Sequence, residues 1–405
     1  MLVGTTRFSV FQPNSTAWKA TASGEFSEAE ALVRYLYSPE RIEPRLDIFL
    51  NYSLPLLKEA ASKVSLKHVV MFSEEMPEKY KRQLQEAAEE NEFLVLNCHK
   101  NGHPDPHISG PHMLAKAEIG SDGVYGLYRL DDDDLLGLNF FTQAEKYLQP
   151  AFAGMRVSFA KGYTGFYNSG QFSEVRECYN PLIAIGLLSV CERIGDKKIV
   201  QPPDVSHIFS DRFGPVILDS REPSYFWSRH ITQDTSFGDD GTDFQRIKQQ
   251  VRANPRPEDE QLLMENFPSL QNNIFTPNFK RVGGDFEASG NGTVLPANND
   301  AADIEVRTEI TCQDGNPVRG GLIAFSFVDS EGKSADPSDV VIDGLTLSPN
   351  RSIGWYRYLV TKPGSNTQNI SFSIESSHLL SEVQIRPFGS GAKSFRVNKV
   401  EIASK

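Results

Sequence analysis

The sequence lacks any apolar run that could cross a bilayer, which takes about 20 predominantly apolar residues. Its first residues contain no basic segment leading into an apolar one, so we expect no secretory signal and a cytoplasmic location. Cysteine is scarce, with 4 residues in 405 and no C-x-x-C pair, which excludes a disulfide framework and a typical zinc finger. We expect these thiols to be small buried apolar groups.

An excess of basic residues is also missing. The net charge is −12, which argues against a nucleic-acid-binding surface. Residues 1–295 carry −10 of this charge, and residues 296–405 carry −2. No glycine-rich loop is followed by the lysine of a P-loop, so that class of nucleotide-binding enzyme is excluded. An acidic domain that handles phosphates usually needs a bridging cation, because carboxylates alone repel phosphate groups.

Two hydrophobic periodicities divide the chain. In residues 1–237 strand and helix patterns alternate, which predicts an α/β domain with a mostly parallel sheet flanked by helices. Residues 238–300 are rich in Asp, Asn, Pro and Gly and predict a partly helical connector. In residues 301–405 apolar and polar residues alternate in about seven short runs, which predicts an all-β sandwich.

The strongest chemical signal is the run of four aspartates from Asp131 to Asp134, directly after a predicted strand at residues 124–130. Open α/β sheets bind ligands beyond the carboxyl ends of their strands, so this position suits a site. A divalent cation would relieve the repulsion among the carboxylates. In an extended chain Asp131 and Asp133 point the same way and could share one ion. Alternatively, Asp133 or Asp134 caps a helix that begins at Leu135.

Several short segments follow one another in a recognisable order. They are Arg7-Phe8-Ser9, Arg45-Leu46-Asp47-Ile48-Phe49 leading into Leu54-Pro55, Ser73 to Pro77, and Arg129 to Asp134. This order resembles the rhamnosyltransferase group of bacterial glycosyltransferases over about residues 5–240. The resemblance implies a GT-A-like, Rossmann-type domain with a DxD motif. It also implies a nucleotide-sugar donor, a Mn²⁺ or Mg²⁺ ion and an oligo- or polysaccharide acceptor.

The resemblance assigns roles to individual residues of this chain. The nucleotide pocket would be lined by Thr6, Arg7, Ser9, Ser73, Arg129, Asp131, Asp132 and Arg229. The metal would be held by Asp133, Asp131 and His230. Two of these residues have equally simple structural interpretations, because a lone histidine is often structural and Arg229 could form a surface salt bridge.

An inverting transferase needs a carboxylate that takes the proton of the acceptor hydroxyl. The Glu-Asp pair that many inverting GT-A enzymes carry is missing from residues 160–237. The candidates are therefore Asp211, Glu174 and Glu177, among which the sequence does not choose. The stereochemistry of transfer stays open for the same reason.

Three further patterns have two interpretations each. The glycines and aromatics of residues 159–167 suit either stacking on a sugar or a packed hairpin. A second group offers zinc ligands, although its prolines and glycines favour a loop on the acceptor side. Its members are Cys98, His99, His103, His107 and His112. In the predicted sandwich, an aromatic cluster suits either a carbohydrate-binding face or an assembly surface. It consists of Trp355, Tyr356 and Tyr358.

The resemblance thus implies a metal-dependent transferase that moves a hexose or deoxyhexose in bacterial surface polysaccharide synthesis. One alternative is a non-catalytic carbohydrate-binding or scaffold protein whose aspartate run binds a cation. Another is a metal-dependent nucleotidyltransferase. Peripheral membrane association would suit polysaccharide synthesis, although no basic amphipathic helix supports it. The donor sugar, the linkage and the oligomeric state stay open.

Overall fold

The chain folds into two compact units, Met1–Ile274 and Phe275–Lys405, each described here by itself. A computed structural model describes residues 1–12, 29–100, 103, 110–168, 170–233, 243–271, 279–299, 301, 303–313, 316–329, 331–374 and 378–404. In this part of the chain, no helix combines the length and apolar character needed to span a membrane.

The first unit alternates strands and helices, as the periodicity predicts. Its strands are β1 (Leu2–Arg7), β2 (Leu66–Ser73), β3 (Leu94–His99), β4 (Gly123–Arg129), β5 (Leu135–Leu136), β6 (Arg156–Ser158), β7 (Lys161–Asn168), β8 (Gln171–Tyr179), β9 (Leu188–Ile194), β10 (Lys198–Val200), β11 (Val216–Leu218) and β12 (Tyr225–Arg229). Its helices are α1 (Ala29–Leu36), α2 (Pro39–Asp47), α3 (Leu54–Ala61), α4 (Glu78–Glu89), α5 (Pro111–Ile119), α6 (Leu138–Lys146), α7 (Ser210–Phe213), α8 (Asp243–Arg252) and α9 (Glu260–Asn266). A π-helical segment, Ile48–Ser53, joins α2 to α3.

The main sheet has the strand order β11-β6-β9-β4-β1-β2-β3, with β10 paired to β9. The pairs β4–β1, β1–β2 and β2–β3 are parallel, and so is the pair β6–β11. Strand β9 lies between β4 and β6 and is antiparallel to both. The sheet is therefore mixed. The expectation of a mostly parallel sheet holds for strands β1 to β4 and for the pair β6–β11, but not for β9 between them. Between β1 and β4 the chain order reverses, which creates a topological switch point.

Helices cover both faces of the parallel part, because every strand there is apolar on both sides. On one face Leu2 and Phe8 share a core with Leu57 of α3 and Phe140 of α6. The opposite face is covered by α5, where Ala115 joins a smaller cluster with Val3, Val69 and Tyr125. The aspartate run follows the carboxyl end of β4, next to the residues that follow β1.

A second sheet, β5-β12-β7-β8, begins directly after the aspartates. Leu135 and Leu136 form β5 and pair with Phe226 and Tyr225 of β12. The helix predicted to begin at Leu135 begins instead at Leu138, so neither Asp133 nor Asp134 caps it. Pairing with β12 buries both leucines, whereas a helix starting there would leave that pairing unmade.

The glycine-aromatic segment forms β7 and its approach, and it is a packed hairpin with β8. Tyr163, Phe166 and Tyr167 are buried, and any side chain added at Gly162 would overlap the ring of Tyr225. These aromatic faces are therefore used for internal packing and not for a sugar.

The segment predicted as a connector is divided between the two units. Leu263, Phe267 and Leu270 are buried in one cluster with Tyr163 and Phe226, because α9 and the turn after it cover the second sheet. The first unit therefore extends to residue 274 and not to residue 237. Strands that precede residue 300 belong to the second unit.

The second unit consists of antiparallel strands. They are β13 (Lys280–Gly283), β14 (Phe286–Ala288), β15 (Thr293–Asn299), β16 (Asp303–Cys312), β17 (Gly321–Val328), β18 (Ile342–Asp343), β19 (Thr346–Leu347), β20 (Trp355–Leu359), β21 (Gly364–Ile374), β22 (Leu379–Pro387) and β23 (Phe395–Ser404). One sheet has the order β13-β23-β16-β21-β18 with β14 on β23, and the other has β15-β22-β17-β20-β19. Their inner faces share a core, in which the ring centroids of Phe325 on β17 and Phe372 on β21 lie 4.9 Å apart. The predicted sandwich is therefore present.

Candidate functional site

The aspartate run lies at the switch point, directly beyond the carboxyl end of β4. Its members face different surroundings, because Asp132, Asp133 and Asp134 are buried while the side chain of Asp131 is 45% exposed. Asp131 lies 3.6 Å from the guanidinium of Arg129. One carboxylate of the run is therefore open to a ligand, and three belong to the interior.

Asp132 connects the run to the end of β1. Its Oδ2 accepts hydrogen bonds from the backbone N–H of Ser9 at 2.9 Å and from the Ser9 hydroxyl at 3.1 Å. Ser9 has a φ of +46°, a left-handed conformation that costs energy for a residue with a side chain. Arg41 donates to the Ser9 hydroxyl at 2.9 Å. The strained turn is thus stabilised by the aspartate on one side and by an arginine on the other.

Asp133 lies between Arg45 and His230. Its Oδ2 is 2.9 Å from Arg45 Nη1 and 3.0 Å from His230 Nε2, while His230 Nδ1 is 2.9 Å from the Thr232 hydroxyl. Burial alone would raise the pKa of Asp133, but Arg45 and the hydrogen bond from His230 outweigh it and hold the pKa well below its usual range. Burial lowers the pKa of His230, so we assign a neutral ring whose Nε2–H donates to Asp133.

Asp134 connects the run to β12. Its Oδ1 accepts the backbone N–H of Ser228 at 3.0 Å, and the Ser228 hydroxyl donates to the carbonyl of Asp133. Burial, followed by repulsion from Asp133 and Asp131, raises the pKa of Asp134 well above its usual value. The three buried aspartates therefore tie together β1, α2 and β12, which are far apart in the sequence.

The three predicted metal ligands do not converge on one point. Asp133 and His230 are brought together, but they are hydrogen-bonded to each other, and Asp131 turns toward Arg129. Within the residues that the structure describes, no three His, Cys, Asp or Glu side chains form a group that could hold a metal ion. As arranged, these residues do not fit a bound divalent cation. The metal stays a prediction from the sequence, and no step of a reaction is assigned to it.

Arg7 and Arg129 lie on one face of the sheet at the switch point. Thr5 of β1 pairs with Arg129 of β4, and Arg7 follows two residues later, so their side chains leave the same face. Both side chains are exposed to a substantial extent. Desolvation and then repulsion from Arg129 lower the pKa of Arg7. Asp131 adds an open carboxylate beside this pair of cations.

His99 ends β3 on the same face as Arg7. It is 5% exposed, and neither ring nitrogen has a hydrogen-bond partner among the described residues. Burial, followed by the charge of Arg7, lowers the pKa of His99, so the ring is neutral. The sequence had offered His99 as a zinc ligand or as part of a loop on the acceptor side. The apolar run that precedes it is the sequence signal that would have placed it at the carboxyl edge of the parallel strands.

The zinc interpretation finds no support in the described residues. Cys98 and His99 are adjacent on β3 and therefore point to opposite faces of the sheet. His112 Nδ1 is 2.6 Å from the Tyr125 hydroxyl. His107 lies outside the described residues.

Thr6 and Ser73 support the site from inside. Thr6 is fully buried on the face opposite Arg7, 2.9 Å from Nε2 of His68, whose Nδ1 is 3.1 Å from the Tyr128 hydroxyl. Burial lowers the pKa of His68 to about 3. Ser73 accepts the N–H of Phe11 at 2.7 Å. Thr6 therefore does not line the nucleotide pocket together with Arg7, as the resemblance had implied.

Arg229 connects β12 to α8. Its Nε donates to Gln233 at 3.1 Å, its Nη2 donates to Gln250 at 2.9 Å, and its guanidinium stacks over Trp227 at 4.4 Å. These contacts hold the segment that follows β12 and make the side chain a packing element. The diphosphate role that the resemblance implied for it stays a prediction.

The three candidate bases have different surroundings. Glu174 has a side chain 1% exposed and pairs with Arg176 at 2.7 Å and with Arg252 at 2.9 Å. Glu177 accepts from Lys161 at 3.1 Å and from the backbone N–H of Glu258 at 3.0 Å. Asp211 is exposed on the short helix α7. The choice of the base stays open, although both oxygens of Glu174 are already occupied by arginines.

Solved structures offer only distant likenesses. The xylan-binding module CBM15 is 9% identical with a TM-score of 0.19, covering 32% of this chain and 84% of its own. The CBM22-1 xylan-binding domain from Paenibacillus barcinonensis Xyn10C is 8% identical with a TM-score of 0.20, covering 32% and 80%. The C-terminal domain of the sugar-binding protein EclA is 14% identical with a TM-score of 0.16, covering 31% and 71%. Such TM-scores carry no argument.

Sequence comparison is more informative about the first unit. Curated protein sequences give no match to the chain. The model of a family described as "Putative rhamnosyl transferase" matches residues 1–236. The matched region is more than half of the 405 residues, and it contains the switch point, the aspartate run and His230. The chain belongs to this family of glycosyltransferases.

Proposed function

We propose that the first unit is a GT-A-type transferase that moves a hexose or deoxyhexose from a nucleotide-sugar donor to a saccharide acceptor. The observation that carries the proposal is the position of Asp131, Arg7 and Arg129 on one face at the switch point, where open α/β sheets bind nucleotides. We also propose a role in surface polysaccharide synthesis, which the family resemblance implies. Rhamnose is one member of the deoxyhexose class and is not singled out.

The chemistry follows from charge. The bond between the anomeric carbon and the diphosphate oxygen breaks, and its electron pair stays on the nucleoside diphosphate. A new bond forms to the acceptor oxygen, whose proton passes to a base. Arginine forks match phosphate oxygens in geometry and charge, so Arg7 and Arg129 would stabilise the charge that develops on the leaving group. Asp131 would accept hydrogen bonds from donor hydroxyls.

The proposal is tested by the thermal stability of the purified chain with UDP, GDP, dTDP or CDP. A ligand at 100 times its dissociation constant adds about 2.7 kcal/mol of stability. We expect one nucleotide class to raise Tm and the Asp131→Asn variant to lose most of that shift. The matched control is Asp196→Asn, because Asp196 is an exposed aspartate paired with Lys116. A folded protein that responds to none of the four nucleotides would contradict the proposal.

A second candidate function belongs to the sandwich. The three residues of the predicted aromatic cluster lie on one strand, β20, but do not all point to the same face of the sheet. Trp355 turns inward and donates to the carbonyl of Pro337 at 3.0 Å. Tyr356 and Tyr358 lie on the opposite face with ring centroids 5.2 Å apart, and Phe388 lies 5.8 Å from Tyr358. Half-buried tyrosine rings suit the apolar faces and hydroxyls of a sugar. We propose that this face binds the glycan.

Affinity electrophoresis of the full chain in gels containing soluble polysaccharides tests glycan binding. We expect retardation by at least one glycan, and a loss of about 5- to 10-fold in affinity for Tyr356→Ala or Tyr358→Ala, because aromatic contacts contribute about 1 kcal/mol each. Tyr179→Ala is the control, since Tyr179 is 59% exposed in the first unit. Equal retardation of all three variants would exclude this face.

A further inference from the structure

Two of the three buried aspartates are already paired with an arginine. Arg45 has a side chain 4% exposed, and its Nη1 lies 2.5 Å from Asp132 Oδ1 and 2.9 Å from Asp133 Oδ2. Its Nη2 is 3.4 Å from the carbonyl of Thr232. Buried charges persist in proteins when they are paired and hydrogen-bonded, and a guanidinium stays charged at all ordinary pH values. Arg45 therefore supplies positive charge to Asp132 and Asp133, where the sequence had suggested a divalent cation.

Asp133 and His230, the two predicted ligands that lie together, are already hydrogen-bonded within the protein. Asp133 Oδ2 accepts from both Arg45 and His230. Nε2 of His230 carries the hydrogen of that bond, and Nδ1 faces the Thr232 hydroxyl. A divalent cation at Asp133 Oδ2 would be adjacent to the Arg45 guanidinium, and the two positive charges would repel each other. A metal that replaced these partners at Asp133 Oδ2 would require both hydrogen bonds to break.

The donor diphosphate still needs positive charge, because residues 1–295 carry a net −10. Arg7 and Arg129 supply it on the open face, on neighbouring strands and beside the half-exposed Asp131. His99, buried on the same face without a hydrogen-bond partner among the described residues, offers a neutral ring nitrogen at the same edge. Two like charges held together at a switch point are stabilised by an anion between them.

We infer that this protein binds the diphosphate of its donor through Arg7 and Arg129 without a divalent cation, and that Arg45 takes the place of the metal beside Asp132 and Asp133. This inference rests on the proposed function for its ligand. Within that function, it assigns the positive charge near the diphosphate to arginines and not to a metal ion. Arg7 and Arg129, at the exposed ends of β1 and β4, bind phosphate. The buried aspartates hold β1, α2 and β12 together.

The first measurement is the affinity of the full chain for UDP, GDP, dTDP and CDP by calorimetry, once in EDTA and once in Mn²⁺. We expect the nucleotide that binds to have the same affinity, within about twofold, in both buffers. Arg7→Gln and Arg129→Gln should each weaken it by about 10- to 100-fold, the effect of losing a hydrogen bond to a charged group. Arg34→Gln is the control, because Arg34 is an exposed helical arginine paired with Glu30.

The second measurement is the electron paramagnetic resonance spectrum of Mn²⁺ with the wild-type chain, with and without nucleotide. In both samples, a spectrum identical to that of the same solution without protein supports the role of Arg45. Stoichiometric bound Mn²⁺ that disappears in Asp133→Asn overturns it, as does nucleotide binding that requires Mn²⁺. If no nucleotide binds in either buffer, the proposed function and the diphosphate assignment both fail. The Mn²⁺ spectrum of the free protein then still decides the role of Arg45.

Discussion

Replacing Arg45 with methionine is expected to lower the free energy of unfolding by about 3–5 kcal/mol, one of the largest effects of any single substitution in this chain. The change removes the partner of Asp132 and Asp133 but leaves their carboxylates in a site that is almost closed to water. Methionine keeps most of the volume of the side chain, so the loss reports charge and not a cavity. Urea unfolding followed by circular dichroism measures the change.

The controls for Arg45 separate charge from packing. Arg82→Met removes an exposed arginine paired with Glu86, and we expect it to change stability by less than about 0.5 kcal/mol. Adding Asp132→Asn and Asp133→Asn to Arg45→Met should recover part of the loss, since no uncompensated charge then remains. Mn²⁺ should stabilise the Arg45→Met variant more than the wild type, because the repelling guanidinium is gone. An Arg45→Met protein as stable as the wild type would refute the ion network.

Replacing Glu174 with alanine is expected to have a similar cost of about 3–5 kcal/mol. Glu174 is the shared partner of Arg176 and Arg252, and its removal leaves two largely buried guanidinium groups next to each other. Arg252 belongs to α8 and Arg176 to β8, so the loss should also loosen the packing of this helix on the second sheet. Thermal unfolding together with proteolysis of the native protein near α8 measures both effects.

The other two candidate bases serve as matched controls for Glu174. Asp211→Ala changes an exposed side chain and should leave stability within about 0.5 kcal/mol, while Glu177→Ala should be intermediate because it loses Lys161 and one backbone hydrogen bond. A catalytic base would show the opposite pattern, a stable protein with little transfer activity. Full stability of Glu174→Ala with loss of transfer would show that Glu174 is the base and not a structural residue.

Local pattern was sufficient for much of the fold. The alternation of strands and helices in the first unit, the strand before the aspartates and the short strands after residue 301 agree with the predicted pattern, because each has an apolar period that only one secondary structure satisfies. The aspartate run was placed correctly beyond the end of a strand for the same reason. Pairing partners were not predictable in this way. The antiparallel insertion of β9 and the pairing of Leu135 and Leu136 with β12 depend on contacts between distant segments.

The site shows the same division between the sequence and the tertiary structure. By itself the sequence determined which residues are acidic or basic and that four aspartates follow a strand. Only the tertiary structure showed that Arg7 ends β1. Only the tertiary structure decided that Arg45, 87 residues before Asp132, pairs with it, and that His230 donates to Asp133. It also buried His99 beside Arg7. A charge in a sequence has no fixed partner until folding brings another charge within a few ångströms and removes the water between them.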